Sequence, residues 1–191
     1  MSKISISPGN KKIGRIPNIS LPPGLSCKPD APCIDSCYAL KAYRFYKEVR
    51  EAWNKNLSIA LYNTIDYFQQ INSFLSRTKK TLFRYHVSGD ILSQNYLNKM
   101  VDTALQFPTI TFFTYTKKYD LDFSMLPHNL IIRLSIWPNH PYDNPYNLPL
   151  SYMQDGTETR IPDKRVICPG DCTSCNACWS LPKIPIQINK H

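Results

Sequence analysis

TLFRYHVSGD, residues 81–90, is a β-rich run that ends in a glycine followed by an acid. Ser93 follows as a candidate helix N-cap, and apolar residues then recur at helical spacing from Tyr96 to Leu105. This pattern predicts a buried strand, a turn and an amphipathic helix that Pro108 closes. A strand joined to a helix in this way indicates an α/β fold, provided that further strands follow.

Three more strand-like runs do follow, at residues 109–118 (TITFFTYTKK), 129–138 (NLIIRLSIWP) and 164–170 (KRVICPG). Strands separated by helices form parallel βα units, and parallel sheets bind ligands beyond the carboxyl ends of their strands. We therefore expect the chemistry at that edge of the sheet. The residues predicted to lie there are Ser88, Gly89, Asp90, Thr116, Lys117, Ser135, Trp137 and Cys168. His86 is either a further member of this edge or a core histidine.

Two helices are predicted before the first of these strands. One follows Cys37, with an apolar face made of Ala39, Tyr43, Tyr46, Val49 and Trp53. The other begins near Asn56, and its apolar stripe consists of Leu57, Leu61, Ile65, Phe68 and Leu75. Prolines concentrate at both ends of the chain and in residues 138–149, and these segments are predicted to be loops.

Seven cysteines stand out in this chain of 191 residues. Four of them, Cys168, Cys172, Cys175 and Cys178, lie within CPGDCTSCNACW, residues 168–179. Such a crowded run is typical of iron–sulfur cluster ligands. A structural zinc site is the main alternative, although zinc more often takes two CxxC pairs from separate segments. Disulfides or unligated thiols are a third interpretation.

The other three cysteines, Cys27, Cys33 and Cys37, lie near the start of the sequence with the spacing CxxxxxCxxxC. They either ligate a second cluster or are buried or loop thiols. A division into three and four leaves no cysteine over, which favours two clusters. The short chain favours a single cluster, built mainly from the C-terminal group.

Length and composition narrow the class of protein. A chain of 22.1 kDa can bury roughly 70% of its unfolded surface, so residues 1–191 are expected to form a single domain. The sequence shows no apolar signal segment at its start and no run approaching about 18 apolar residues, so we expect a cytoplasmic protein without a membrane partner. Thiols stay reduced in the cytoplasm, which favours metal ligation over disulfides.

The net charge is +9, with 23 Lys and Arg against 14 Asp and Glu. A basic surface attracts phosphate groups, so a nucleic acid is a candidate partner. Basic and aromatic residues interleave only at residues 43–47, YRFYK. On a helix, such a stretch is more often a solvated face beside a buried face.

Several segments together resemble a small phage-encoded family of uncharacterised proteins. They are SLPPGLSC (residues 20–27), CYA (37–39), FRYHVSGD (83–90), FTYTK (113–117) and the terminal CxxCxxCW (172–179). A cysteine-rich loop, a helix and a strand with a glycine–acid motif also resemble the radical S-adenosylmethionine (SAM) enzymes. This resemblance implies a partial TIM-barrel-like parallel sheet with flanking helices and a Cys-rich C-terminal loop. It further implies that Ser88, Gly89 and Asp90 bind SAM beside a [4Fe-4S] cluster that has one open iron.

The cysteine spacing departs from the pattern of those enzymes, which is usually CxxxCxxC. That spacing is absent from the first group of cysteines and present in Cys168, Cys172 and Cys175, at the other end of the chain. Either the first group holds the SAM-type cluster and the second an auxiliary one, or the second group holds the only cluster.

We therefore expect an iron–sulfur protein of viral type, located in the cytoplasm of an infected host cell. As an enzyme it would cleave SAM reductively and act on a substrate that the sequence does not identify, with flavodoxin or ferredoxin as electron donor. The alternatives are a non-enzymatic cluster protein that senses redox state or binds nucleic acid, and a zinc-stabilised nucleic-acid-binding protein. No residue is assigned a catalytic role.

Overall fold

The structure is a computed structural model that describes residues 2–189. Its strands are β1 (Ile6–Ser7), β2 (Asn18–Ile19), β3 (Leu82–Tyr85), β4 (Thr111–Thr116), β5 (Leu130–Ile136), β6 (Leu150–Gln154), β7 (Val166–Ile167) and β8 (Ile186–Asn189). Its helices are α1 (Tyr38–Phe45), α2 (Lys47–Tyr62), α3 (Thr64–Leu75), α4 (Gln94–Gln106) and α5 (Ala177–Ser180), with a 3-10 turn at Ile34–Ser36. Within the described residues, none of the helices has the length and apolarity needed to cross a bilayer.

The strands form one sheet in the order β1-β2-β3-β4-β5-β6-β8-β7, with β1 and β7 at its edges. The β1–β2 pair is antiparallel, and every other pair in the sheet is parallel. The prediction of an α/β fold with a parallel sheet is confirmed. The strands β2 to β6 are neighbours in chain order, so their carboxyl ends share one edge.

The two faces of the sheet are covered differently. Side chains alternate between the two faces along each strand, so Phe83 and Phe112 lie on the face that packs against α2, α3 and α4. The main apolar core lies there. Phe113 lies on the opposite face, where that ring packs against Cys178 and its neighbours. The cysteine-rich C-terminal segment thus covers the second face of the sheet.

The structure confirms the predicted strand–turn–helix unit in detail. β3 lies within residues 81–90, and the hydroxyl of Ser93 accepts a hydrogen bond of 3.2 Å from the backbone N–H of Tyr96 at the start of α4. α4 ends at Gln106, two residues before Pro108. The other three predicted strands correspond to β4, β5 and β7.

The prediction that both proline-rich ends are loops is wrong for β2 and β8. A proline lacks an N–H donor, but its carbonyl still accepts a hydrogen bond from a neighbouring strand. The carbonyl of Pro17 accepts from the N–H of Arg84, and that of Pro185 accepts from the N–H of Val166. Prolines therefore precede these strands without interrupting the sheet. β6 was not predicted either.

The helices before β3 differ from the prediction at two breaks. The first predicted helix is divided at Tyr46, whose backbone is extended, and the second at Asn63. The side chain of Asn63 accepts a 3.0 Å hydrogen bond from the N–H of Asp66 and so caps α3. Because of this break, the predicted apolar stripe is wrong at Leu61 and Ile65, which are 61% and 63% exposed.

Candidate functional site

The first cysteine loop is joined directly to the turn after β3. β2 runs parallel to β3, and the N–H of Leu21 donates to the carbonyl of Ser88 over 3.0 Å. Gly89 has a φ of +86°, and a Cβ at this position would lie 2.4 Å from the Ser26 hydroxyl oxygen. Only glycine suits this backbone and this close approach. The structure thus brings together two motifs, SLPPGLSC and HVSGD, that are far apart in sequence.

Asp90 ties this turn to the end of β4. One carboxylate oxygen accepts from the Thr116 hydroxyl and the Ile91 N–H, both over 2.7 Å, and the other accepts from the N–H of Lys117 over 3.0 Å. Burial raises the pKa of Asp90, while the hydrogen bonds from Lys117 and Thr116 oppose that shift. These donors assign Asp90 a structural role, and a contact with the amino group of SAM stays a prediction.

Cys27, Cys33 and Cys37 lie in a compact loop above this turn. Cys33 precedes the 3-10 turn, and Cys37 follows it at the start of α1. All three side chains are half-buried. Burial raises the pKa of Cys27, and the charges of Asp90, Cys33 and Cys37 raise it further. The three thiols therefore share one electrostatic environment, close to Asp90.

The second cysteine group lies on the sheet face opposite α2–α4. Cys168, Cys175 and Cys178 pack into one cluster with Phe113 and Trp179. Backbone hydrogen bonds fix the segment: the N–H of Cys168 donates to Gln187 over 2.8 Å, and the N–H of Cys172 donates to Lys12 over 2.7 Å. The four cysteines are thus held by both ends of the chain.

Two arginines and a tyrosine face these four thiols. The guanidinium of Arg84 lies 5.5 Å from the ring centre of Phe113 and 5.7 Å from that of Tyr115. The Tyr115 hydroxyl lies 3.0 Å from the Cys178 sulfur, and Arg133 donates to the Cys178 carbonyl over 2.8 Å. Burial raises the pKa of Cys178, whereas Tyr115 and Arg133 lower it. Nearby cations favour the thiolate, which is the form that binds metals.

Arg84 lies near the C-terminal cysteines and near Tyr38. Burial raises the pKa of Cys172, and the charge of Arg84 opposes that shift. The hydroxyl of Tyr38, the residue after Cys37, donates to the carbonyl of Val87. Tyr38 is 68% exposed as a residue, but desolvation of its hydroxyl raises its pKa, Arg84 lowers the pKa, and the charges of Cys37 and Cys172 raise it. Tyr38 is thus close enough to cysteines of both groups for their charges to affect it.

The seven predicted ligands are free thiols in this structure. Across residues 2–189, no three His, Cys, Asp or Glu side chains converge as ligands of a single metal ion. Assignment of the cysteines to a metal stays a prediction.

Sequence reasoning missed Arg84, Arg133, Tyr115 and Tyr38 as members of this region. One signal was available for Arg133, since an arginine inside the apolar run NLIIRLSIWP must be buried with partners or lie at a site. Its side chain is fully buried, and its donors reach the carbonyls of Leu150, Cys178, Leu181 and Ile184.

Comparison with known proteins gives one match. The sequence model of a family described as Gene product 88 matches residues 4–181, which supports the expectation of a phage-type protein. No curated protein and no solved structure gave a match. The family match covers nearly all of the chain, so the protein belongs to the gene product 88 family.

Proposed function

We propose that this protein binds an iron–sulfur cluster through Cys168, Cys172, Cys175 and Cys178. One observation carries the proposal: the Nε of Arg84 is buried beside these thiols and has no hydrogen-bond partner within the described part of the chain. A buried donor without a partner indicates a missing acceptor. A cluster ligated by thiolates is an anion with sulfur acceptors, so the donor and the charge of Arg84 both fit it.

The proposed cluster also explains the packing of the C-terminal segment. Cys178 is buried on the sheet, whereas Cys168, Cys172 and Cys175 are half-buried. Ligation would join β7, the loop after it and α5 into one unit. Metal binding of this kind contributes to folding, because the ligands are not preassembled in the unfolded chain.

A second candidate function is a minimal radical SAM enzyme. Its support is the contact between the Ser88–Gly89 turn and the loop of Cys27, Cys33 and Cys37. The parallel order of β2 to β6, with helices on one face of the sheet, also suits a partial barrel. A cluster with one open iron would supply the electron that cleaves SAM. Flavodoxin or ferredoxin would then be the electron donor.

In this second candidate function the chain's own residues would shape the SAM site. Gly89 would allow the close approach of the turn to the loop, and Asp90 would hold that turn against β4. The hydroxyl of Ser88 is buried and, among residues 2–189, has no hydrogen-bond partner. It is therefore free to bind a polar group of a ligand at the carboxyl edge.

Anaerobic purification with iron and sulfide analysis tests the proposal. We expect a brown protein that absorbs at about 400 nm. Iron content should be about four atoms per chain for one cluster and about eight for two. Cys172→Ser with Cys175→Ser should remove the C-terminal cluster, while Cys27→Ser with Cys33→Ser should leave it intact. A colourless protein with one zinc and no sulfide would refute the proposal.

The enzyme is distinguished from a non-enzymatic cluster protein by titration with SAM. If the first cysteine loop holds an open iron, SAM should change the electron paramagnetic resonance spectrum of the reduced protein. Ser88→Ala should weaken that effect at unchanged iron content. An unchanged spectrum, with the cluster shown to be reduced and intact, would exclude the enzyme and leave the cluster protein.

A further inference from the structure

A small cleft opens at the carboxyl ends of β4 and β5. Its volume is about 180 Å³, and its walls include Lys28 from the first cysteine loop together with Lys117, Tyr119 and His140. Complete small-molecule ligands usually occupy about 300–1,000 Å³. The cleft is therefore the right size for one group of a ligand, at the edge where parallel sheets bind ligands.

Lys117 brings a cation to this cleft. Its ammonium lies 5.7 Å from the ring centre of Trp137 and forms no ion pair with any described residue. Burial raises the pKa of Asp90 and the charge of Lys117 opposes that shift, but the carboxylate oxygens accept from the Thr116 hydroxyl and from backbone N–H groups, not from the Lys117 ammonium. Lys28 is 3.6 Å from Asp30, so that pair adds little net charge. The uncompensated cation of the cleft is Lys117.

A buried donor without an acceptor lies beside Lys117. Trp137, whose ring centre is 5.7 Å from the Lys117 ammonium, is 9% exposed, and its indole N–H has no partner in the described residues. Because buried donors are costly to leave unpaired, an acceptor is expected here.

We propose that this cleft binds an oxyanion, a phosphate or carboxylate group, through Lys117 and the indole N–H of Trp137. Lys117 lines the cleft, and the unpaired indole N–H belongs to the ring beside its ammonium. Asp30 is the carboxylate among the lining residues, and it pairs with Lys28. A cation and an unpaired donor match a ligand group that only accepts hydrogen bonds. The proposal goes beyond the cluster, because none of its ligating groups is a cysteine.

The test is isothermal titration calorimetry of the purified protein, with inorganic phosphate in one series and acetate in another. We expect at least one of the two anions to bind. The anion with the higher affinity shows whether the natural ligand offers a phosphate or a carboxylate group. Lys117→Ala should weaken binding at least about tenfold, because hydrogen bonds to charged groups contribute about 1.5–3 kcal/mol. Trp137→Phe, which keeps a ring but removes the N–H, should weaken it less.

Lys118→Ala is the matched control. Lys118 is the next residue, but its ammonium donates to the carbonyl of Leu92 over 2.7 Å and does not line the cleft. No binding of either anion, or equal weakening by Lys117→Ala and Lys118→Ala, would overturn the proposal. Iron is measured in the same samples, so failure of the cluster proposal is detected separately.

Discussion

The hydroxyl oxygen of Tyr115 lies 3.0 Å from the sulfur of Cys178, across the face of the sheet that carries the C-terminal cysteines. Burial holds the pKa of Tyr115 well above its ordinary value, so the phenol remains protonated at neutral pH. A protonated phenol can donate a hydrogen bond to a thiolate. Such donation tunes a bound cluster, because it stabilises the more negative, reduced state.

The first prediction follows from this hydrogen bond. If the proposed cluster is bound, Tyr115→Phe should leave its iron content unchanged and lower its reduction potential. One hydrogen bond of about 1.4 kcal/mol corresponds to about 59 mV for a one-electron couple, and a decrease of that order is expected in a spectroelectrochemical titration. Tyr142→Phe is the control, since its hydroxyl lies near that of Tyr152 instead. An unchanged potential in Tyr115→Phe would show that Cys178 is not a cluster ligand.

The second prediction concerns Arg133. Its guanidinium donates to four carbonyls from β6 and the C-terminal segment. Arg133→Met would leave these buried acceptors unpaired, so it should lower the free energy of unfolding by about 3 kcal/mol or more. Arg165→Met, at an exposed position, should cost less than about 1 kcal/mol. Chemical denaturation measures both, and similar losses in the two variants would contradict the role assigned to Arg133.

The predicted and unpredicted elements of the fold show which features a sequence pattern can reveal. Strand and helix periodicities are local, so β3, β4, β5 and α4 could be predicted from their apolar patterns. The break at Asn63 and the short strands β2 and β8 depend on a side-chain cap and on neighbouring strands. These are tertiary effects.

The candidate site shows the same limit. Its cysteines could be found from their spacing, and the turn at Gly89 from its position after a strand. The position of Tyr38 near cysteines of both groups, and that of Arg84 near Cys172, joins segments that are far apart in the chain. No local pattern carries that information.

The third prediction tests the contact between the Gly89 turn and the first cysteine loop. Gly89→Ala would place a methyl group 2.4 Å from the Ser26 hydroxyl oxygen and 2.7 Å from the Cβ of Leu21. Gly156→Ala is a matched control, because its φ of +102° is also positive while no atom lies within 4 Å of the added Cβ. Backbone strain of about 1–2 kcal/mol is common to both. Gly89→Ala should therefore be the more destabilising variant in thermal or chemical unfolding, by about 1–3 kcal/mol.

The fourth prediction concerns acid stability. His86 is buried, its Nε2 lies 3.1 Å from the Tyr96 hydroxyl, and burial lowers its pKa to about 3, helped by the charges of Lys118 and Arg84. In the unfolded chain its pKa is about 6.5. Between these values the unfolded state binds more protons, so folding stability falls as pH decreases from about 6.5 towards 3.

His86→Asn should reduce this loss. Asparagine tolerates the positive φ of 57° at this position and does not titrate. Urea unfolding at a series of pH values should therefore show a shallower decline below about pH 6.5 than in the wild type. Asp90 is present in both proteins, so its contribution to the pH dependence of stability cancels when their slopes are compared. The exposed His128 supplies the control, because His128→Asn should leave the decline unchanged, and equal slopes in all three proteins would contradict the prediction.

The fifth prediction concerns the break between α1 and α2. The sequence pattern placed Tyr46 on a buried face, but Tyr46 is 60% exposed and Phe45 75% exposed. Lys41 and Arg44 line a cavity of about 450 Å³ together with Phe45, and neither side chain forms an ion pair within residues 2–189. Exposed rings beside cations are the arrangement that binds single-stranded nucleic acid by stacking and phosphate contacts.

If this corner binds a nucleic acid, affinity for single-stranded DNA should fall with salt, with a log–log slope of about −0.7 per phosphate contacted. Phe45→Ala and Tyr46→Ala should each weaken binding by about 1–3 kcal/mol, the range found for one stacked base. Tyr62 is 89% exposed at the other end of α2, and Tyr62→Ala should leave affinity unchanged because no cation borders it in the sequence. Fluorescence anisotropy at several salt concentrations measures all three variants. Binding that is already absent at about 50 mM salt would instead make the net charge of +9 a determinant of solubility.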